Sequence, residues 1–174
     1  MKPRDFVVWH GLFYVPLTQG QVTLVDPEDA PWLTLWNWFC HKDKCGNWRV
    51  QRQIRHGQKR EYVCMARLIM QTPDNMTVDH IHGDTLDHRK SNLRNCTLQQ
   101  NLQNQRVAKG RTYKGVQFQG QVNKKNPWMA RIRAFGKSLY LGSFPTEKDA
   151  AGAYNEAALE YFGDFARLNV IDDD

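Results

Sequence analysis

The chain has 174 residues, of which 41% are hydrophobic and include six Trp and eight Phe, enough for one medium core or two small ones without disulfide support. Met1-Lys2-Pro3-Arg4-Asp5 is charged where a secretory signal needs an apolar run, and no stretch approaches the length of a membrane span. A soluble, cytoplasmic chain is therefore expected. The cysteines, Cys40, Cys45, Cys64 and Cys96, are too few and too irregularly spaced for a disulfide framework or a paired zinc site. Cys40, His41 and Cys45 are the one cluster a structural zinc could use, and their spacing fits the usual knuckles poorly, so no structural zinc is expected.

The formal charge of +6 is unevenly spread. From His88 to Thr146, 59 residues, there is no Asp or Glu, and twelve Lys or Arg stand there, among them Lys109 and Lys124. Such a segment suits a polyanion, because one stray carboxylate would repel phosphate at close range. The bland alternative is a solvated basic face that touches nothing.

In chain order, Val22 to Val25 reads as a short strand. Asp26-Pro27-Glu28-Asp29 has the acidic cap, early Pro and first-turn acids of a helix start, with Trp32, Leu33 and Trp36 following at helical spacing. Trp48 to Arg55 and Lys59 to Cys64 read as two strands around a turn at His56-Gly57, and their basic side chains are candidates for contact with DNA. Gln103 to Thr112 is polar, basic and without periodicity, as in a linker, which puts a domain boundary near Lys109-Gly110. Beyond it, Val116 and Phe118, then Ala130, Ile132 and Ala134, then Leu139 and Leu141 alternate with polar residues. Three strands thus have one apolar face and one face of Gln, Arg, Ser and Tyr. Thr146 to Phe162 reads as the covering helix, capped by Thr146, ended by Gly163 and striped with Ala150, Tyr154, Ala157, Ala158 and Tyr161. Its acids, Glu147, Asp149, Glu156 and Glu160, then lie away from the basic face.

Chemistry concentrates in Val78-Asp79-His80-Ile81-His82-Gly83-Asp84, followed by Ser91-Asn92-Leu93-Arg94 and Gln100-Asn101-Leu102-Gln103-Asn104. A hard divalent cation prefers oxygen ligands and keeps several waters, so the Asp79 carboxylate and the Asn101 amide oxygen would suffice with phosphate completing the shell. His80, on the other side of an extended chain, is left to act on water. These residues resemble the HNH homing-endonuclease motif, and the resemblance runs over roughly residues 20 to 104. It implies a ββα-metal fold with Asp79 and Asn101 as ligands of one Mg²⁺ or Mn²⁺, His80 as general base and Asn92 as the brace of the loop. Two departures stand out: many relatives carry His before the Arg of Met65-Ala66-Arg67-Leu68, and many carry Asn where this chain has His88. His82, Asp84 and His88 receive no role.

Tyr113-Lys114-Gly115-Val116, Trp128-Met129-Ala130-Arg131-Ile132-Arg133, Tyr140-Leu141-Gly142-Ser143-Phe144, Ala150-Ala151, Ala153-Tyr154 and Leu168-Asn169 resemble the ethylene-response-factor, or APETALA-type, DNA-binding domain over residues 113–170. The resemblance implies a sheet in the major groove of double-stranded DNA, contacting it through Lys114, Gln117, Gln119, Arg131, Arg133 and Tyr140. Arg pairs bidentately with guanine and Gln with adenine, so the face suits base reading. The family commonly has Arg at the place of Gln117 and Trp at that of Tyr140, so target preference does not carry over. Trp128 shares parity with Ala130 and belongs to the core.

The expectation is an α+β chain with a nuclease domain over 1–108 and a linker and DNA-binding domain over 109–174. It would act as a site-selective, metal-dependent homing endonuclease with no small-molecule cofactor. The alternative is a non-cleaving DNA-binding regulator on the same shell. RNA binding is disfavoured, because the sheet face offers a single stacking aromatic, Tyr140.

Overall fold

The structure, a computed structural model, describes residues 5–108, 110–120 and 125–172. Met1–Arg4, Lys109 and Lys124, on which part of the charge and boundary reading falls, lie outside them. Among the described residues the chain is mixed α and β, with four small antiparallel sheets and few helices. It divides into two compact units, Met1–Asn101 and Leu102–Asp174.

In the first unit, β1 (Val7–Trp9), β2 (Leu12–Pro16) and β3 (Val22–Val25) form one sheet, and β4 (Phe39–Lys42), β5 (Trp48–His56) and β6 (Lys59–Cys64) another. Alternation along these strands sends Val15, Val25, Cys40 and Val50 inward, where Leu17, Leu33, Met65 and Leu93 close the core. The helix expected from Asp26 does not begin there. α1 is one turn, Ala30–Leu33, with Pro31 rather than Pro27 in its first turn. The reason is a competing partner: the Asp26 carboxylate accepts from Lys90 N at 2.7 Å and so ties down a distant loop instead of capping a helix. Trp36 falls outside the helix and stacks on the Arg52 guanidinium at 4.3 Å.

α2 (Met65–Ile69) follows β6 and buries Met65 and Ala66. Ala66 is thus a core residue. Its neighbour Arg67 donates to Met76 O (2.6 Å), Thr72 O (3.2 Å) and Pro73 O (3.1 Å), fastening the turn that launches β7 (Thr77–His80). β7 pairs with β8 (Leu93–Cys96), and α3 (Leu98–Gln103) comes next.

In the second unit, β9 (Val116–Phe118), β10 (Trp128–Ala134) and β11 (Lys137–Phe144) form a sheet in the order β11-β10-β9. α4 (Glu147–Phe162) lays Ala150, Ala151, Tyr154, Ala157, Ala158 and Phe162 on its apolar face. Thr146 caps the helix by accepting from Asp149 N at 3.1 Å. The register shifts between Ala130 and Arg131, where Gly142 opposes Ala130 but Tyr140 opposes Arg131. This bulge is required by the sequence: Leu141 and Phe144, three apart, cannot share one face of a regular strand, and both pack inward. Asn169 grips the chain reciprocally, accepting from Lys114 N (2.7 Å) and donating to Lys114 O (3.1 Å), while Asn155 holds the Asn169 backbone.

Gly115 has φ +78°, and a Cβ there would lie 2.0 Å from the Tyr154 ring and 2.7 Å from Arg131 O. Gly115→Ala therefore combines left-handed strain with overpacking and should cost about 2–5 kcal/mol. Gly120→Ala, with φ +73° and nothing within 4 Å among the described residues, should cost about 1–2 kcal/mol from strain alone. Urea denaturation of the two variants checks the difference.

Candidate active site and candidate nucleic-acid interface

β7 delivers Asp79 and His80 as adjacent residues of an extended strand. Asp79 is buried at 4% exposure and lies opposite Arg94 in the ladder. Arg94 donates to its Oδ2 from Nε at 2.9 Å and from Nη2 at 2.7 Å. These two bonds share one carboxylate oxygen. Cys96, two residues beyond Arg94, lies beneath this pair as a buried thiol. Burial, and then the Asp79 charge, push its pKa up, while the Arg94 charge and the Asn101 backbone amide work the other way.

The loop after β7 is held by Asn92, which is 1% exposed. Its Oδ1 accepts from His82 N at 2.9 Å, and its Nδ2 donates to Asp84 O at 3.1 Å and Asp87 O at 2.8 Å. Its backbone carbonyl accepts from Ile81 N at 2.8 Å. The loop's outer side is pinned to β3: Leu24 N donates to Leu86 O at 2.9 Å, and His88 N to Leu24 O at 2.7 Å.

His80 is half-buried, with its Nε2 shielded from solvent. Burial holds its pKa below the ordinary histidine value, against the opposing pull of the Asp79 charge. The His88 ring meets it edge-to-face, centroids 5.2 Å apart at 88°. The sequence reading marked His88 as a departure from the motif and gave it no role. It is 1% exposed, and burial first, then the neighbouring His80, push its pKa down to about 3. Thr23 Oγ1 donates to Leu86 O at 2.7 Å and lies 2.7 Å from His88 Nδ1. The hydroxyl proton is committed to the carbonyl, so Nδ1 carries the hydrogen and donates to Thr23. Alternation in Val22–Val25 buries Thr23, but nothing in the sequence connected it with a residue 65 positions away.

The oxygen donors of Asp79 and Asn101 fit a hard divalent cation by type. Among the described residues, the carboxylate, imidazole and thiol groups that could converge on one ion are those of Asp26, Glu28 and Asp29. Asp29 is buried there, and Lys90 Nζ occupies the cluster at 3.0 Å from Glu28 and 3.1 Å from Asp29.

On the second unit, Arg131 and Arg133 project from the face opposite the core, with Arg131 across from Tyr140 and Arg133 across from Ser138. Gln117 lies across from Met129 on this side. Met129 Sδ accepts from Gln119 Nε2 at 3.0 Å and Arg131 Nη2 at 3.4 Å, and Tyr140 Oη lies 2.9 Å from Ser143 Oγ. Lys114 does not join them. Its ammonium donates to Gln103 O and Gln105 O, and burial together with the Arg167 charge pushes its pKa down to about 8. Strand alternation could not foresee this, because Lys114 precedes β9 and follows no pleat.

The chain is similar to an uncharacterized HNH endonuclease of Acanthamoeba polyphaga mimivirus, at 29% identity over 171 residues, 97% of this chain and 87% of that protein. Shorter stretches are similar to plant proteins. Dehydration-responsive element-binding protein 2A of Arabidopsis thaliana is 52% identical over 44 residues, 24% of this chain and 13% of that protein. An ethylene-responsive transcription factor of the same plant is 46% identical over 59 residues, 33% of this chain and 13% of its own length. No family model and no solved structure matches the chain. No helix among the described residues is long and apolar enough to cross a membrane.

The buried, neutral His88 predicts an acid-sensitive fold. The unfolded chain takes up this proton near 6.5 and the folded chain only near 3, so stability is lost as pH falls through that window. The slope from this group is about 1.4 kcal/mol per pH unit. His88→Phe should remove that part of the slope in denaturation curves collected across the window; identical slopes would show that His88 is not held neutral.

Proposed function

We propose that this protein is a site-selective DNA endonuclease dependent on a divalent cation, with the character of a homing endonuclease, that cuts with Asp79, His80, Asn92 and Asn101 and grips double-stranded DNA through the outward face of β9, β10 and β11. The observation that carries the reading is the β7 end itself: a buried carboxylate and an imidazole on adjacent residues, followed by a loop that one buried asparagine braces at three backbone positions. The similarity along nearly the whole chain to a protein named as an HNH endonuclease supports it, and so does the similarity of shorter stretches to plant proteins named as element-binding and transcription factors.

In this reading His80, kept neutral by burial, takes a proton from the attacking water; with Nε2 buried, Nδ1 is the nitrogen assigned to that task. Asp79 and Asn101 hold Mg²⁺ or Mn²⁺, which when bound supplies stabilisation of the charge that develops on the phosphate and the leaving oxygen. Asn92 keeps the loop after His80 from drifting. Arg131 and Arg133 bind phosphates and guanine edges, with Gln117, Gln119 and Tyr140 beside them.

A further contact is assigned to the β5–β6 hairpin. The register places Gln53 opposite Tyr62 and Arg55 opposite Arg60 on one face, while Glu61 pairs with Ile54 on the other. That face has the same Gln, Arg and Tyr chemistry as the β9–β11 sheet.

One observation favours a second reading. Arg94 already neutralises Asp79 through two hydrogen bonds, and a regulator that binds DNA without cutting would keep that pair intact.

Cleavage of plasmids carrying fragments of the source genome, in Mg²⁺ or Mn²⁺ at low salt, separates the two. The nuclease cuts, and chelator or Asp79→Ala abolishes cutting. His80→Ala lowers the rate by about 10²–10⁴-fold with binding retained. Arg131→Ala and Arg133→Ala each weaken binding and lower its salt slope by about one. Tight, salt-sensitive binding with no metal-dependent product establishes the regulator instead.

A further inference from the structure

The contact between the rings of His80 and His88 has no counterpart in the roles already assigned. His88 lies beyond the loop that Asn92 braces, and it is held from two sides by β3: its backbone amide donates to Leu24 O at 2.7 Å, and its Nδ1 is 2.7 Å from Thr23 Oγ1. Thr23 is 0% exposed and His88 1% exposed, so neither side chain has room to take another rotamer. An aromatic ring fixed in this way presents a rigid wall, and the His80 ring stands against it at 5.2 Å and 88°, an arrangement that aromatic quadrupoles favour.

We propose that Thr23 and His88 are positioning residues for His80, with the His88 ring, locked by Thr23, fixing the plane of the His80 imidazole. The inference rests on the reading of His80 as the base of a nuclease. It makes β3 part of the active-site support: a strand more than fifty residues upstream sets the orientation of the reacting ring through one hydroxyl and one imidazole.

The choice of histidine is explained by its two demands. A hydrogen-bond donor must meet Thr23, whose own proton is used on Leu86 O at 2.7 Å, and a flat face or edge must meet His80. Asparagine supplies the donor without the ring, and phenylalanine the ring without the donor. Burial keeps His88 uncharged, so it stands beside His80 without adding a like charge when His80 takes up a proton.

The test uses the full-length protein and the variants His88→Ala, His88→Phe and Thr23→Val. Two quantities are read: the single-turnover cleavage rate at saturating DNA, with affinity measured separately, and the Hε1–Cε1 NMR signal of His80, assigned with His80→Ala. His88→Ala should lower the rate by roughly tenfold to a hundredfold, the scale on which a misplaced catalytic group acts. DNA affinity should stay unchanged and the His80 signal should move. His88→Phe should recover most of the rate, and Thr23→Val should give a smaller loss with a broadened His80 signal. A folded His88→Ala protein with the wild-type rate, or with an unmoved His80 signal, overturns the proposal. So do equal losses in the Ala and Phe variants accompanied by weaker binding, which would mark His88 as a core residue and nothing more. If His88→Ala does not fold, Thr23→Val decides by the same two readings. If the wild type cuts no DNA, the nuclease reading fails on its own account, and the His80 signal still decides whether His88 sets that ring.

Discussion

The side chain of Asn92 makes three hydrogen bonds, all to the backbone of one loop: it accepts from His82 and donates to Asp84 and Asp87. A loop between two short strands has little apolar surface with which to hold itself, and a single buried amide takes the place of a local core. Loss of that amide would leave three backbone groups without this partner, each at about 1–3 kcal/mol if buried. The rest of the site hangs from this loop. His80 enters it, His88 leaves it, and the 3₁₀ turn Lys90–Asn92 hands the chain to β8 and so to Arg94, opposite Asp79.

The N-terminal part of the chain is built around the same loop. β3 contributes Leu24 backbone bonds and the Thr23 hydroxyl, and Asp26 accepts from Lys90 N. Lys90 Nζ meets Glu28 and Asp29. What reads as a helix start in the sequence is an acidic clamp on a residue more than sixty positions away. Partly buried charges of this kind fix geometry more than they add stability.

Legibility in the sequence followed the range of the interactions. Elements governed by local periodicity, such as α4 with its Thr146 cap and the alternation of Ala130, Ile132 and Ala134, could be read directly, because their burial pattern repeats along the chain. Asp79, His80, Asn92 and Asn101 came together in the sequence as a set through their resemblance to the HNH motif, and the roles given to them remain part of the proposal. Thr23 with His88, Arg94 on Asp79 and Asp26 on Lys90 could not, since each is a single pair whose members are brought together by sheet pairing or by loop docking. For Lys114 the resemblance implied a contact with DNA, and in the structure its ammonium donates to two nearby carbonyls, which no pattern in the sequence announces.

In the proposed nuclease, the braced loop after β7 holds the catalytic histidine in place. The measurement that meets it most directly is cleavage at saturating DNA by Asn92→Ala, read together with amide hydrogen exchange over residues 81–87. Faster exchange confined to that loop and a rate lowered by about a hundredfold are expected, with the exchange of α4 and of the β9–β11 sheet unchanged. An Asn92→Ala protein that cuts at the wild-type rate, with the loop as protected as before, would contradict it.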